Sequence, residues 1–230
     1  MAKLIEYNKE RRHGEKLFWN LINDEPYFDD WTVIWGLAIS DHQKKQEGQS
    51  DFVLLGPLGI VIIEIKGGDK HIFKPEGGFE WGTNLKALMS SNETPLQQAS
   101  GNKYAIRKYL ENNHRSISKI RKTIFAHGAA FPLGDLGIIT SKPNIQFHNW
   151  EIWDSNSTDI KEFITNLVHK TTENLYKILK HYEGPEKLSQ PDISFIIQYL
   201  AIEGRAIVRV SKEKEIESEL IRLQDTQCQI

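Results

Sequence analysis

Apolar and polar positions along the chain predict a run of strands in its middle and helices after it. The longest apolar stretch, DFVLLGPLGIVIIEIKGG over residues 51–68, divides into two strands at Gly56-Pro57-Leu58-Gly59. Proline second and glycine fourth suit a tight turn. Closed as a two- or four-residue loop, the turn makes the numbers of facing residues sum to 115, so Leu55 faces Ile60, Val53 faces Ile62 and Asp51 faces Glu64.

Other segments follow the same reasoning. Residues 9–23 carry a helical stripe of Leu17, Phe18 and Leu21, weakened at Gly14, and Pro26 with Asp29-Asp30 marks a loop. WTVIWGLAI (31–39) is aromatic and β-branched, which predicts a strand, and the polar SDHQKKQEGQS after it predicts an exposed loop. HIFK (71–74) and FEWG (79–82), separated by PEGG, predict a second hairpin. A helix is expected from Pro95, with proline in the first turn, to about Asn113. TIFAHGAAF and LGIIT read as later strands; 157–182, 190–203 and 211–223 read as helices, the last charged and amphipathic. No internal repeat or low-complexity tract interrupts this order, which is α/β in the middle and helical from about residue 157.

Composition narrows the class. The 230 residues, 39% hydrophobic and 26% charged, suit one medium globular domain, with or without an appendage. A net charge of −2 supplies no global attraction to polyanions, so any nucleic-acid site needs a local basic cluster. Residues 101–122 provide one: Lys103, Arg107, Lys108, Arg115, Lys119, Arg121 and Lys122 against Glu111 give +6 before histidines. Such a cluster neutralises backbone phosphates, and a solvated helix face is the alternative reading. Tyr104 and Tyr109 in the same stretch are expected in the core, with stacking on bases as the alternative reading. The single cysteine, Cys228, excludes an internal disulfide and fits a reducing cytosol, the N-terminal residues carry no apolar leader, and no run is long enough to span a membrane. A cytoplasmic location without membrane contact is therefore expected.

The chemistry concentrates in the first hairpin. Facing residues of an antiparallel pair stand with Cβ atoms roughly 5 Å apart, so Asp51 and Glu64 bring two carboxylates side by side. Lys66 projects from the same strand face as Glu64, while Ile63 and Ile65 point the other way into the core. Two acids and an amine on one patch fit a divalent-metal and phosphate site, because Mg²⁺ is held by one or two carboxylates plus waters and phosphate oxygens. A solvated strand entry with a surface ion pair fits the same residues. The eight histidines show no ligand spacing such as H-x3-H; His127, within a predicted strand, reads as a satisfied core residue. Neither a phosphate-binding G-x-x-x-x-G-K-[ST] loop nor a G-x-S-x-G elbow occurs.

The order GEK (14–16), Asp51, IIEIKGG (62–68), a hairpin tryptophan (Trp81) and TPLQQ (94–98) resembles the nuclease-related domain (NERD) family of the PD-(D/E)xK nuclease superfamily, over about residues 9–150. The resemblance implies an α/β, restriction-endonuclease-like mixed β-sheet flanked by helices, with a helical C-terminal extension, divided as a nuclease-related domain over 1–170 and a helical tail over 171–230. It further implies Asp51 and Glu64 as ligands of Mg²⁺ or Mn²⁺, Lys66 as the catalytic lysine, Glu15 approaching the metal from the first helix, and Gln98 in support. Adjacent Gln97 remains an alternative, because Thr94 stands where the family often has asparagine before the proline. The implied activity is phosphodiester hydrolysis, in DNA rather than RNA, for DNA processing or defence against foreign DNA; the local basic charge offers Lys103, Arg107 and Lys108 as backbone contacts. A catalytically inactive module that binds DNA or recruits a helicase is the alternative. ELIRLQDTQCQI at the C-terminus resembles the start of a superfamily 1 helicase, with Gln227 in the adenine-reading position, which implies a helicase partner in cis or in trans.

Overall fold

The computed structural model describes residues 1–7, 12–39, 48–73, 79–82, 89–113, 118–135, 148–157, 159–179 and 184–203. The expected loop at 40–47, the LGIIT strand, the helix over 211–223 and Gln227 lie outside them. The described residues hold nine strands: β1 (Lys3–Glu6), β2 (Thr32–Ile39), β3 (Gly48–Gly56), β4 (Gly59–Ile65), β5 (Lys70–Phe73), β6 (Phe79–Gly82), β7 (Met89–Ser91), β8 (Phe125–Phe131) and β9 (Ile152–Asp154). Four α-helices accompany them: α1 (His13–Asp24), α2 (Pro95–Asn113), α3 (Ile160–Ile178) and α4 (Gln190–Glu203).

Six strands form one mixed sheet in the order β1-β2-β3-β4-β8-β9. β2, β3 and β4 run antiparallel to their neighbours in this set, whereas β1 with β2, β4 with β8 and β8 with β9 are parallel. Both faces are covered. On one, Phe18 and Ile22 of α1 and Phe163, Ile164 and Leu167 of α3 pack against Val33, Leu54, Val61 and Ile63. On the other, Ala99, Ile106 and Leu110 of α2 and Ile193, Ile196 and Leu200 of α4 meet Ile34, Val53, Ile60 and Ile62. This is the expected fold class, a mixed sheet flanked by helices. Every residue of β4 is buried, which is why it reads as an unbroken apolar run rather than an alternating one.

The hairpin register is the one that the turn chemistry predicts. Gly56 pairs with Gly59, Leu55 with Ile60 and Val53 with Ile62. Gly59 adopts φ +145°, and a Cβ there would stand 2.5 Å from the Ile124 carbonyl oxygen. The second hairpin also forms, Phe73 pairing with Phe79, and β7 extends it to a separate three-stranded antiparallel sheet.

Three short strands, β1, β7 and β9, escape the pattern. None exceeds four residues, and β7 has no buried position, so no periodicity could announce them. β3 begins at Gly48, not after the polar loop, because β2 pairs Leu37 with Ser50 and Ile39 with Gly48. The stripe of α1 also differs: its buried residues are Gly14, Glu15, Phe18 and Ile22, while Leu21 is exposed. Phe18 and Ile22, one turn apart, face the sheet, which turns Leu21 outward. Tyr104 is exposed, contrary to a core placement, and Tyr109 is half-buried against the second core. No described helix is long and apolar enough to cross a membrane.

Gly59→Ala should destabilise the chain by about 1–3 kcal/mol, the range for a residue forced into an unfavourable backbone region. A shifted urea midpoint with an unchanged m-value is the expected result.

Candidate active site

The main ladder between β3 and β4 ends at Phe52 and Ile63, one position short of Asp51 and Glu64. Past that end the Asp51 side chain takes over an acceptor's work: its Oδ2 receives the Ile65 N–H at 2.7 Å. On the opposite edge of β4 the Lys66 N–H donates to the Ala130 carbonyl of β8 at 3.0 Å. The strand end carrying Glu64 and Lys66 is thus fixed from both sides.

Glu64 and Lys66 project to the face covered by α2. Lys66 Nζ donates to Glu64 Oε1 at 2.6 Å, with both side chains more than nine-tenths buried. It also donates to Gln98 Oε1 at 2.9 Å. The Gln98 amide nitrogen in turn donates to Ser91 Oγ at 3.0 Å and to the Glu93 carbonyl at 3.3 Å. Lys66 Nζ lies 4.7 Å from the centre of the Trp81 ring.

Thr94 separates the two glutamines. Its N–H donates to Gln97 Oε1 at 2.8 Å and its Oγ1 accepts the Gln97 N–H at 3.2 Å. That is a reciprocal capping box closing the first turn of α2 just ahead of Pro95. Gln97 is exposed and engaged with the helix end, while Gln98 reaches Lys66.

Electrostatics mark the carboxylates as crowded. Asp51 retains some exposed surface, but its carboxyl group is packed about by protein. Burial pushes it up from 3.8 to about 7, the Glu64 charge adds to the push, and Lys66 with the Ile65 N–H holds it back. Glu15 arrives from α1 on the other side of the sheet. Its Oε2 accepts the Trp35 indole N–H at 2.9 Å, and Arg12 Nε stands 3.9 Å from Oε1. Burial holds Glu15 above the ordinary carboxylate range, against the Trp35 hydrogen bond, and the charge of Asp51 adds to the rise. Three acids therefore share one field, although among the described residues no three His, Cys, Asp or Glu side chains converge as a ready-made metal cage.

The basic stretch is less uniform than its sequence. Arg107 Nε is paired with Glu111 at 2.7 Å, Lys119 with Asp192 at 3.0 Å and Lys122 with Glu186 at 3.2 Å. Lys108 is exposed. Lys103 is half-buried with Nζ 3.4 Å from His127 Nδ1, and burial lowers its pKa to about 8. His127 is pushed down to about 3 by burial and by that neighbouring ammonium. Arg115 lies outside the described residues.

Two contributors were not foreseen. Ser91 offered no signal, being one hydroxyl in a short polar strand. Trp35 did offer one: a tryptophan on the buried face of a strand needs an acceptor for its indole N–H, and Glu15 supplies it.

Among known proteins, the model of the nuclease-related domain family matches residues 10–127, just over half of the 230 residues. No curated protein matches the chain, and no solved structure does.

Without added metal, the folded value of Asp51, about 7, stands above its ordinary 3.8, so the folded chain binds an extra proton between the two. The stability from this group is fully present below about pH 4 and lost as pH rises through about 7. Urea midpoints from about pH 5 to about pH 8 should therefore fall in the native chain relative to Asp51→Asn. Parallel curves would contradict the assignment of that proton to Asp51.

Proposed function

The chain belongs to the nuclease-related domain family, and we propose that it is a divalent-metal-dependent nuclease hydrolysing phosphodiester bonds, in DNA rather than RNA. The observation that carries this reading is the meeting of Asp51, Glu64, Lys66 and Gln98 at one strand end, where burial and the Glu64 charge push the Asp51 carboxyl up to about 7.

The donor set fits a hard cation. Two carboxylates on adjoining strands, without a complete protein cage, suit Mg²⁺ or Mn²⁺, which keep waters and take substrate phosphate oxygens as further ligands. Asp51 and Glu64 are the residues to hold it. When bound, such an ion polarises the phosphoryl group and lowers the pKa of a water. Glu15, with one oxygen committed to Trp35, adds negative potential from α1 and is the third candidate ligand. Lys66 stabilises the negative charge that builds on the phosphate, as a donor aimed at developing charge does. Gln98 holds Lys66 in place.

Substrate reaches this end from the open side. A Cβ at Gly67, directly after Lys66, would meet no described residue within 4 Å. Lys103, Arg107 and Lys108 supply phosphate contacts along α2. Of these Lys108 is the exposed charge, while Arg107 must exchange Glu111 for phosphate. DNA processing or defence against foreign DNA, alone or beside a strand-separating helicase, is the setting that suits such an activity.

The decisive assay is cleavage of plasmid and single-stranded DNA, with an RNA control, in Mg²⁺, Mn²⁺ or EDTA. Cleavage should need the metal, and Glu64→Ala with Lys66→Ala should lose at least about 100-fold in rate, the scale of one lost transition-state donor. Unchanged cleavage by that double variant would falsify the assignment. Salt-sensitive DNA retention without cleavage in any metal would move the chain to a binding module. In the same binding assay, Lys103→Ala with Lys108→Ala should lessen the slope of log K against log salt by about 1–2, near 0.9 for each phosphate no longer neutralised.

A further inference from the structure

Among the described residues Lys66 Nζ has three contacts, of which Glu64 is the charged one, and it also acts through charge on Asp51. Glu64 is also the residue assigned to the cation, so the ammonium needs anchors that do not depend on that carboxylate. Both remaining anchors trace to the small sheet. Trp81 of β6 places its ring 4.7 Å from Lys66 Nζ, within range of a cation–π contact. Ser91 of β7 accepts from the Gln98 amide nitrogen at 3.0 Å, and the Glu93 carbonyl accepts from the same nitrogen at 3.3 Å. Those two bonds use both amide hydrogens and leave Oε1 facing Lys66 at 2.9 Å. A flipped amide would oppose donor to donor.

The Trp81 ring is itself fixed. It lies nearly parallel to Phe79, at 5.6 Å and 16°, and Phe79 is stacked on His71 at 5.9 Å and 15°. His71 then meets Phe131 of β8 edge-on at 4.8 Å. An aromatic wall therefore runs from the main sheet to the ammonium, and its inner members Phe79, His71 and Phe131 are buried. Phe79 and Trp81, two apart on one strand, share its face.

We propose that Trp81 and Ser91 are positioning residues for Lys66, so that the three-stranded sheet serves to aim the catalytic amine. This inference rests on the reading of Lys66 as that amine. Trp81 acts directly through its ring, and Ser91 acts through the orientation of Gln98.

Two arms of one experiment separate this idea from the reading it rests on. The first is spectroscopic and needs no turnover: the ε-methylene resonances of Lys66 in ¹³C-lysine-labelled protein, assigned with Lys66→Arg. In the native chain they should be shifted upfield by the facing indole; Trp81→Leu should abolish the shift and Trp81→Phe should keep part of it. The second arm is kinetic, with Mg²⁺ or Mn²⁺ and DNA. Trp81→Leu should lower kcat roughly tenfold, the order for a desolvated cation–π contact, with KM nearly unchanged, and Trp81→Phe should recover most of it. Ser91→Ala should lower kcat several-fold and move the Gln98 side-chain amide resonances. An unshifted Lys66 methylene in the native chain overturns the proposal, as does native kcat in Trp81→Leu. If the native chain cleaves nothing, the nuclease reading falls, and the upfield shift alone decides whether Trp81 holds Lys66. Should Trp81→Leu fail to fold, Trp81→Phe still decides, by a reduced shift or by none.

Discussion

The ion pair between Glu64 and Lys66 is the constraint to which the rest of the site answers. Both groups lie at the end of a strand buried on two faces, and each has lost nearly all its water. Desolvation of such a pair cancels much of its Coulombic attraction, and apolar residues of similar volume often leave stability unchanged or improved. Removing one partner alone leaves a buried charge and costs about 3–5 kcal/mol. The arrangement is therefore poorly explained as a device for stability. It is tolerable because Gln98 satisfies a further proton of the ammonium.

Asp51 shows the same tension from the neighbouring strand. A carboxylate that receives a main-chain N–H ordinarily titrates low, yet burial and Glu64 outweigh the Ile65 bond and drive it the other way. A proton relieves this excess of negative charge, and the proposed divalent cation would relieve the same excess. Ligands of open α/β sheets commonly meet the carboxyl ends of strands, and Glu64 stands there on β4, parallel to β8. Position and charge agree on the same few ångströms.

Much of this was legible because the governing features are local. The Gly-Pro-Leu-Gly turn fixes the register as far as Phe52 and Ile63, and the same register continued by one position sets Asp51 opposite Glu64. Pro95 sets the start of α2 at the observed residue. Legibility ended where partners come from far along the chain. The strands β1, β7 and β9 are held by the strands they pair with, not by their own pattern. Arg107, Lys119 and Lys122 looked like one basic field, but Glu111, Asp192 and Glu186 neutralise them; the latter two lie more than sixty residues away from their lysines and carry no mark of that pairing. Leu21 was misplaced because α1 carries more apolar residues than its buried face can take.

The adjacent glutamines show how a small local bond selects a distant contact. Successive residues on a helix differ by about 100° in direction, so Gln97 and Gln98 cannot both face Lys66. Thr94 decides between them. By closing the capping box with Gln97, it commits that side chain to the helix end and fixes the phase of the first turn. Asparagine before the proline can cap through its own side chain, so threonine performs the same service with a different atom. The cap, the turn phase and the inward Gln98 form one causal sequence, and it ends on the amide oxygen that holds Lys66.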